Sequence, residues 1–153
     1  MSGSASSGFG PNCAIDVMGA LSVCGARRRP NMPDTARELV VLISHGMDDE
    51  RSSIAFTIAS GGMTAGLQVS IFLTSSAVDL VRKHAIDGLV VHPLEPLASL
   101  VKDFLARGGR LWACTPCVKA RGYQQNDLID GVEITGASKM HELIKAGAAT
   151  LSF

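Results

Sequence analysis

Glu38-Leu39-Val40-Val41-Leu42-Ile43-Ser44 is an apolar run, rich in β-branched residues, with no polar break between Leu39 and Ile43. A strand with one wet face alternates apolar and polar side chains. An uninterrupted run predicts instead a strand buried on both faces, as in a parallel sheet covered by helices. Leu67-Gln68-Val69-Ser70-Ile71-Phe72-Leu73 reads as a second strand and Arg110-Leu111-Trp112-Ala113 as a later one. Gly88-Leu89-Val90-Val91-His92 is a brief extended segment stopped by Pro93, and Val132-Glu133-Ile134 and 148–153 supply the closing extended stretches.

Helical spacing fills the intervals. Ile54, Phe56, Ile58 and Ala59 fall in a helix over about 50–64, with Asp48 or Asp49 available as its cap and Gly61-Gly62 allowing close packing. A short amphipathic helix is predicted over 76–84. Leu97, Leu100, Val101, Phe104 and Leu105 mark another, from near Pro96 to Arg107, and Met140, Leu143 and Ile144 mark one over 138–145. Strands alternating with helices predict a three-layer α/β/α domain around a mostly parallel sheet.

The chain has 153 residues, enough for one domain with one sizeable core. With 46% hydrophobic and 18% charged residues it reads as a well-buried fold, not a disordered chain. Fourteen Lys+Arg balance fourteen Asp+Glu, so no net field draws nucleic acid or an anionic membrane, and five Phe, one Trp and one Tyr offer little for base stacking. No apolar run approaches the roughly 20 residues of a membrane span.

Residues 1–33 differ from the rest: Ser/Gly-rich at the start, then Arg27-Arg28-Arg29-Pro30. A secretory signal carries its positive charge before the apolar segment, and here the charge follows it. This part is expected to be a flexible N-terminal extension, with Met32 as an alternative start, and 34–153 the folded domain.

Chemistry concentrates in Cys114-Thr115-Pro116-Cys117-Val118-Lys119-Ala120-Arg121-Gly122. In open parallel sheets, binding and catalysis gather outside the carboxyl ends of the strands, and Cys114 sits at such an end. Thr115 as N-cap and Pro116 as the first helical residue would start a turn of helix beneath the sulfur, whose free N–H groups, with Lys119 and Arg121, would favour a thiolate. Gly122 suits the left-handed residue that ends the turn. A zinc half-site would need two further ligands, which Cys13, Cys24 and the scattered histidines do not supply, so no metal and no cofactor are expected. A thioredoxin-type motif follows an early strand, and this one follows a late strand. Nucleophilic thiol, dithiol redox pair and two packed thiols all remain open on the residues alone. His45, after the first strand, His92, after the extended segment, and Tyr123, beside the Cys turn, are possible crevice residues. No glycine-rich phosphate loop is present.

From about Glu38 to Phe153 the chain resembles the DsrE/DsrF-like family, the sulfur-relay proteins related to the TusBCD subunits. The likeness is carried by the Val-rich first strand, the helix after an acidic loop, and the Gly-Gly turn into a strand. Most of it rests on Cys114 followed by Arg121-Gly122, then Asp130-Gly131-Val132, Gly136-Ala137 and the terminal Leu151-Ser152-Phe153. The resemblance implies a DsrE-like fold of flavodoxin-like arrangement, a cytoplasmic homo-oligomer (trimer or hexamer) or hetero-oligomer, and one acceptor cysteine carrying a persulfide between donor and acceptor proteins. Cys114 takes that position. Cys117 departs from the single-cysteine pattern and resembles a branch labelled DsrE family or peroxiredoxin-like, with Cys117 as a resolving or second thiol. A dithiol redox protein and a non-enzymatic ligand-binding or regulatory module are the alternatives.

Overall fold

The computed structural model describes residues 37–153. The extension expected over 1–33, with Cys13 and Cys24, lies outside the described residues. Five strands, β1 (Glu38–Ile43), β2 (Gln68–Leu73), β3 (Arg110–Cys114), β4 (Val132–Thr135) and β5 (Ala149–Ser152), form one sheet in the order β4-β3-β2-β1-β5. Every neighbouring pair is parallel. The helices are α1 (Arg51–Thr64), α2 (Leu97–Ala106), α3 (Thr115–Ala120) and α4 (Ala137–Lys145).

The unbroken apolar runs supply both faces, because successive side chains of a strand point oppositely. Leu39, Val41 and Ile43 align with Val69, Ile71 and Leu73, and Ile71 and Leu73 with Leu111 and Ala113. This face meets α1 closely: a Cβ on Gly62 would stand 3.1 Å from Leu39 Cδ2 and 3.4 Å from Val69 Cγ2. α2 packs beside α1 through an edge-to-face contact of Phe56 and Phe104, centroids 6.1 Å apart. The other face carries Val40, Phe72 and Trp112, all buried. There Lys139 of α4 places Nζ 5.3 Å from the Trp112 ring centroid. Steps from β1 to β4 run one way across the sheet and the step to β5 runs back past β1, so right-handed crossovers send helices to both faces. The three-layer α/β architecture read from the sequence is the observed one.

Two local expectations are corrected and one choice between neighbours is resolved. The stretch 88–92 joins no strand: it lies between turns, and the Leu89 carbonyl instead accepts the N–H of Leu97 at 3.0 Å, at the start of α2. A short apolar run bounded by Gly and Pro is ambiguous, and tertiary packing spends this one on a loop. The helix predicted over 76–84 is a 3-10 segment, Ser75–Val81, whose continuation is stopped when Arg82 bridges to Leu128. At the start of α1, Asp49 and not Asp48 acts: its Oδ1 accepts the Arg51 N–H at 2.9 Å and its carboxylate pairs with the Arg51 guanidinium. That side-chain hydrogen bond holds the Asp49 carboxyl down at about 2.

Candidate functional site

Parallel strands deliver all their carboxyl ends to one edge, and three connections meet there. The loop after β1 is closed by Ser52, whose hydroxyl donates to the carbonyls of His45 (2.7 Å) and Gly46 (2.8 Å). Ser76 Oγ donates to the Ser44 carbonyl at 3.2 Å, tying the β1 and β2 exits together. β3 ends at Cys114, which is itself the N-cap of α3, so Thr115 is the first helical residue and not the cap expected of it. The correction is a shift of one residue. Cys114 keeps the extended backbone of the strand, and Pro116 fits the first turn because its missing N–H would have had no partner.

Both cysteines are free thiols. Cys114 is buried, with 8% of its surface exposed, while Cys117 is half-buried. Cys117 Sγ accepts the Ser75 N–H at 3.2 Å and lies 3.5 Å from Thr74 Oγ1. Burial pushes the Cys114 thiol above its ordinary value; the Cys117 N–H and the Thr74 hydroxyl oppose this without overcoming it. Burial also acts upward on Cys117. There the Thr74 hydroxyl, the Ser75 N–H, the Cys114 thiol and the Arg121 charge outweigh it, and the group sits below its ordinary value. The pair is therefore asymmetric: the Cys114 thiol is pushed up and the Cys117 thiol is pushed down from the ordinary value.

Arg121 folds back onto the Cys turn. Its Nη1 donates to the Cys117 carbonyl at 3.3 Å and its guanidinium pairs with Asp79, Nε to Oδ1 at 3.0 Å. Gly122 follows with φ +71, the left-handed turn read from the sequence. Tyr123 joins the cluster through its hydroxyl, which donates to Asp79 Oδ1 at 3.0 Å, and Arg82 stacks over its ring at 5.9 Å. Lys119 is exposed on α3, and no hydrogen bond or ion pair among the described residues joins it to either cysteine. His45 lies at the same edge with Nδ1 3.3 Å from Ser44 Oγ, and no hydrogen bond among the described residues joins it to a cysteine. His92 is exposed in the turn before α2, and no hydrogen bond among the described residues joins it to either cysteine. Among the described residues, no three His, Cys, Asp or Glu side chains gather in a way that could hold a metal ion.

Thr74, Ser75 and Asp79 are the site residues that sequence reading missed. Their signal was positional: Thr74-Ser75-Ser76 directly follows β2, which adjoins β3 in the sheet, so the segment emerges beside Cys114. Only the strand order reveals that adjacency.

A model of the DsrE/DsrF-like family matches residues 37–153. The chain belongs to this family. Among curated relatives of this DsrE-family chain, uncharacterized protein MK0008 of Methanopyrus kandleri is 33% identical over 113 residues, spanning 73% of this chain and 88% of the relative. Uncharacterized protein MJ0989 of Methanocaldococcus jannaschii is 31% identical over 105 residues, spanning 69% and 86%. Among solved structures, the ychN protein from E. coli superposes with a TM-score of 0.64 at 20% identity, covering 78% of this chain and 100% of that one. MTH1491 from Methanobacterium thermoautotrophicum gives 0.61 at 18%, with the same coverage. At such identities the two structures establish the DsrE-family fold and nothing finer.

The Tyr123–Asp79 bond makes a direct prediction. Burial, with the Asp79 carboxylate behind it, pushes the phenol above its ordinary value of about 10. Tyr123 is the chain's single tyrosine, so phenolate absorbance reports it alone. The native midpoint is expected above the ordinary value and is expected to fall in Asp79→Asn. An ordinary midpoint in the unaltered protein would show that the bond does not persist in solution.

Proposed function

We propose that the Cys114–Cys117 pair is a sulfane-sulfur acceptor, carrying sulfur as a persulfide from a donor protein to an acceptor protein. The observation that carries this reading is the environment of the pair: two reduced thiols at the carboxyl edge of the sheet, one of them supplied with N–H and O–H donors and a nearby guanidinium. Those groups favour an anion on sulfur, and a perthiolate is such an anion. In the transfer, a thiolate of the pair attacks the outer sulfur of a donor persulfide, R–S–SH. The donor S–S bond breaks, R–S⁻ leaves with the electron pair, and the new Cys–S–SH retains the proton. The reverse attack by an acceptor thiolate returns the pair to its starting state. No cofactor is required.

Family membership supports this reading. The trimer or hexamer and the cytoplasmic location rest on the family resemblance, while self-association into a homo-oligomer is supported by apolar side chains left exposed on the α4–β5 side of the sheet. Ile144 and Leu151 remain 39% and 41% exposed there, beside Val40, Leu42 and Met140. No helix among the described residues is long and apolar enough to cross a membrane.

A second reading, dithiol redox, is favoured by the placement of Cys114 at the N-cap and Cys117 in the first turn of α3, since neighbouring thiols can close to a disulfide when a disulfide oxidant takes two electrons. Peptide mass spectrometry separates the two. After incubation with polysulfide or glutathione persulfide, the tryptic peptide 111–119 is expected to gain about 32 Da per sulfur, and Cys114→Ser/Cys117→Ser to gain nothing there. Reversible loss of two hydrogens without sulfur gain would replace the transfer reading by the redox one.

A further inference from the structure

We propose that Cys117, and not Cys114, is the attacking thiolate of the pair, and that the Thr74–Ser75 turn is a built cradle for the negative charge on its sulfur. The inference deepens the sulfur-acceptor reading and rests on it for the identity of the donor, but not for the choice of nucleophile.

Geometry separates the two thiols. Cys114 ends a central strand, packed in the core cluster with Ala113 and Val118. Cys117 stands one turn further on, half-exposed, and faces the exit of the adjacent strand. Ser75 there has φ +51, a left-handed conformation that a non-glycine residue adopts at some conformational cost. In that conformation its N–H is aimed at Cys117 Sγ, 3.2 Å away, with the Thr74 hydroxyl 3.5 Å from the same sulfur. β2 hydrogen bonding holds the turn from behind, the Thr74 N–H donating to the Ile43 carbonyl at 2.9 Å. Backbone strain in an exposed turn, spent on presenting a donor to a sulfur, is what a charge-binding site requires and inert packing does not. The opposite directions in which the two thiols are pushed agree with this division.

The division also gives Cys114 a task. When Cys117–S⁻ takes the outer sulfur of R–S–SH and releases R–S⁻, the product Cys117–S–SH lies beside Cys114. If the Cys114 thiol attacked the inner sulfur, Cys114–S–S–Cys117 and H2S would form: the sulfane sulfur is reduced to sulfide while two thiol sulfurs are oxidised to a disulfide, which an external dithiol must then reduce. Cys114 is buried at the end of β3, which limits its attack on that inner sulfur, so the persulfide survives for an acceptor.

The test uses the full chain with single variants, reading peptide 111–119 so that Cys13 and Cys24 do not contribute. With glutathione persulfide near pH 7, Cys114→Ser is expected to gain sulfur and Cys117→Ser to gain less than about a tenth as much. Iodoacetamide is expected to alkylate Cys117 in Cys114→Ser with a lower pH midpoint than Cys114 in Cys117→Ser. Thr74→Val in the Cys114→Ser background is expected to slow alkylation at pH 7 about three- to tenfold and raise its midpoint. Cys117→Ala replaces Cys117→Ser should the serine variant fold poorly. If Cys117→Ser loads sulfur normally and Cys114→Ser does not, the assignment is overturned while the sulfur reading stands. If no protein gains sulfur but Cys117 still alkylates at the lower midpoint and responds to Thr74→Val, the nucleophile assignment stands and the sulfur reading fails. Equal midpoints, or no response to Thr74→Val, would overturn the cradle.

Discussion

Phe104→Ala is expected to lower the unfolding free energy by about 3–5 kcal/mol, and Gly109→Ala to lower it by about 1–3 kcal/mol. The Phe104 ring is fully buried and meets Phe56 edge-on. It also lies flat over Gly109, where an added Cβ would come within 2.6 Å of Phe104 Cε2. Nothing there is the free end of a flexible chain, so either the ring or the entry to β3 must shift. Urea unfolding followed by the fluorescence of Trp112, the chain's single tryptophan, measures both effects. The two positions share one volume, so they are expected to couple: in a Phe104→Leu background the penalty for Gly109→Ala should shrink markedly. A neutral Gly109→Ala would refute the contact. Gly109 precedes the strand that ends at Cys114, so the same variant is also expected to slow sulfur uptake.

Arg121→Gln is expected to slow alkylation of Cys117 at pH 7 by about two- to threefold, less than Thr74→Val, and to raise the midpoint of its pH–rate curve. The sign follows from charge: removing a cation beside a thiolate disfavours the anion, so the midpoint of the pH–rate curve moves up and less thiolate is present at neutrality. The site is partly exposed, so the difference from the unaltered protein should narrow as salt is added. Lys119→Gln is the control, because Lys119 is as close in sequence but exposed, with no side-chain hydrogen bond to the Cys turn among the described residues. Equal slowing by the two substitutions would mean a general field and not the Arg121 contact.

The fold was legible because its determinants are local. Leu39–Ile43 and Val69–Leu73 have too few polar residues to face water on either side, and the helical spacing of Leu97, Leu100, Val101 and Phe104 admits one buried face. Gly122 at the end of α3 was legible for the same reason, as a turn that needs φ above zero. The stretches that misled, 76–84 and 88–92, have patterns too short to choose between states, and there non-local contacts chose: the Arg82–Leu128 bridge for one, and the use of the Leu89 carbonyl at the start of α2 for the other.

The cysteine pair shows the same boundary. The sequence by itself determined that two thiols end a late buried strand, with Arg121 at a distance that lets it fold back. It assigned Lys119 equal standing, because spacing along a chain cannot tell which way a short helix turns its side chains. The family resemblance put Cys114 first, and the sequence had no means of showing Thr74, Ser75 or Asp79, which stand some forty residues away. Those partners arrive only when β2 and β3 pair in parallel and bring their carboxyl ends to one edge. Thiolate stability depends on donors a few ångströms from the sulfur, and at that range strand order counts for more than sequence distance.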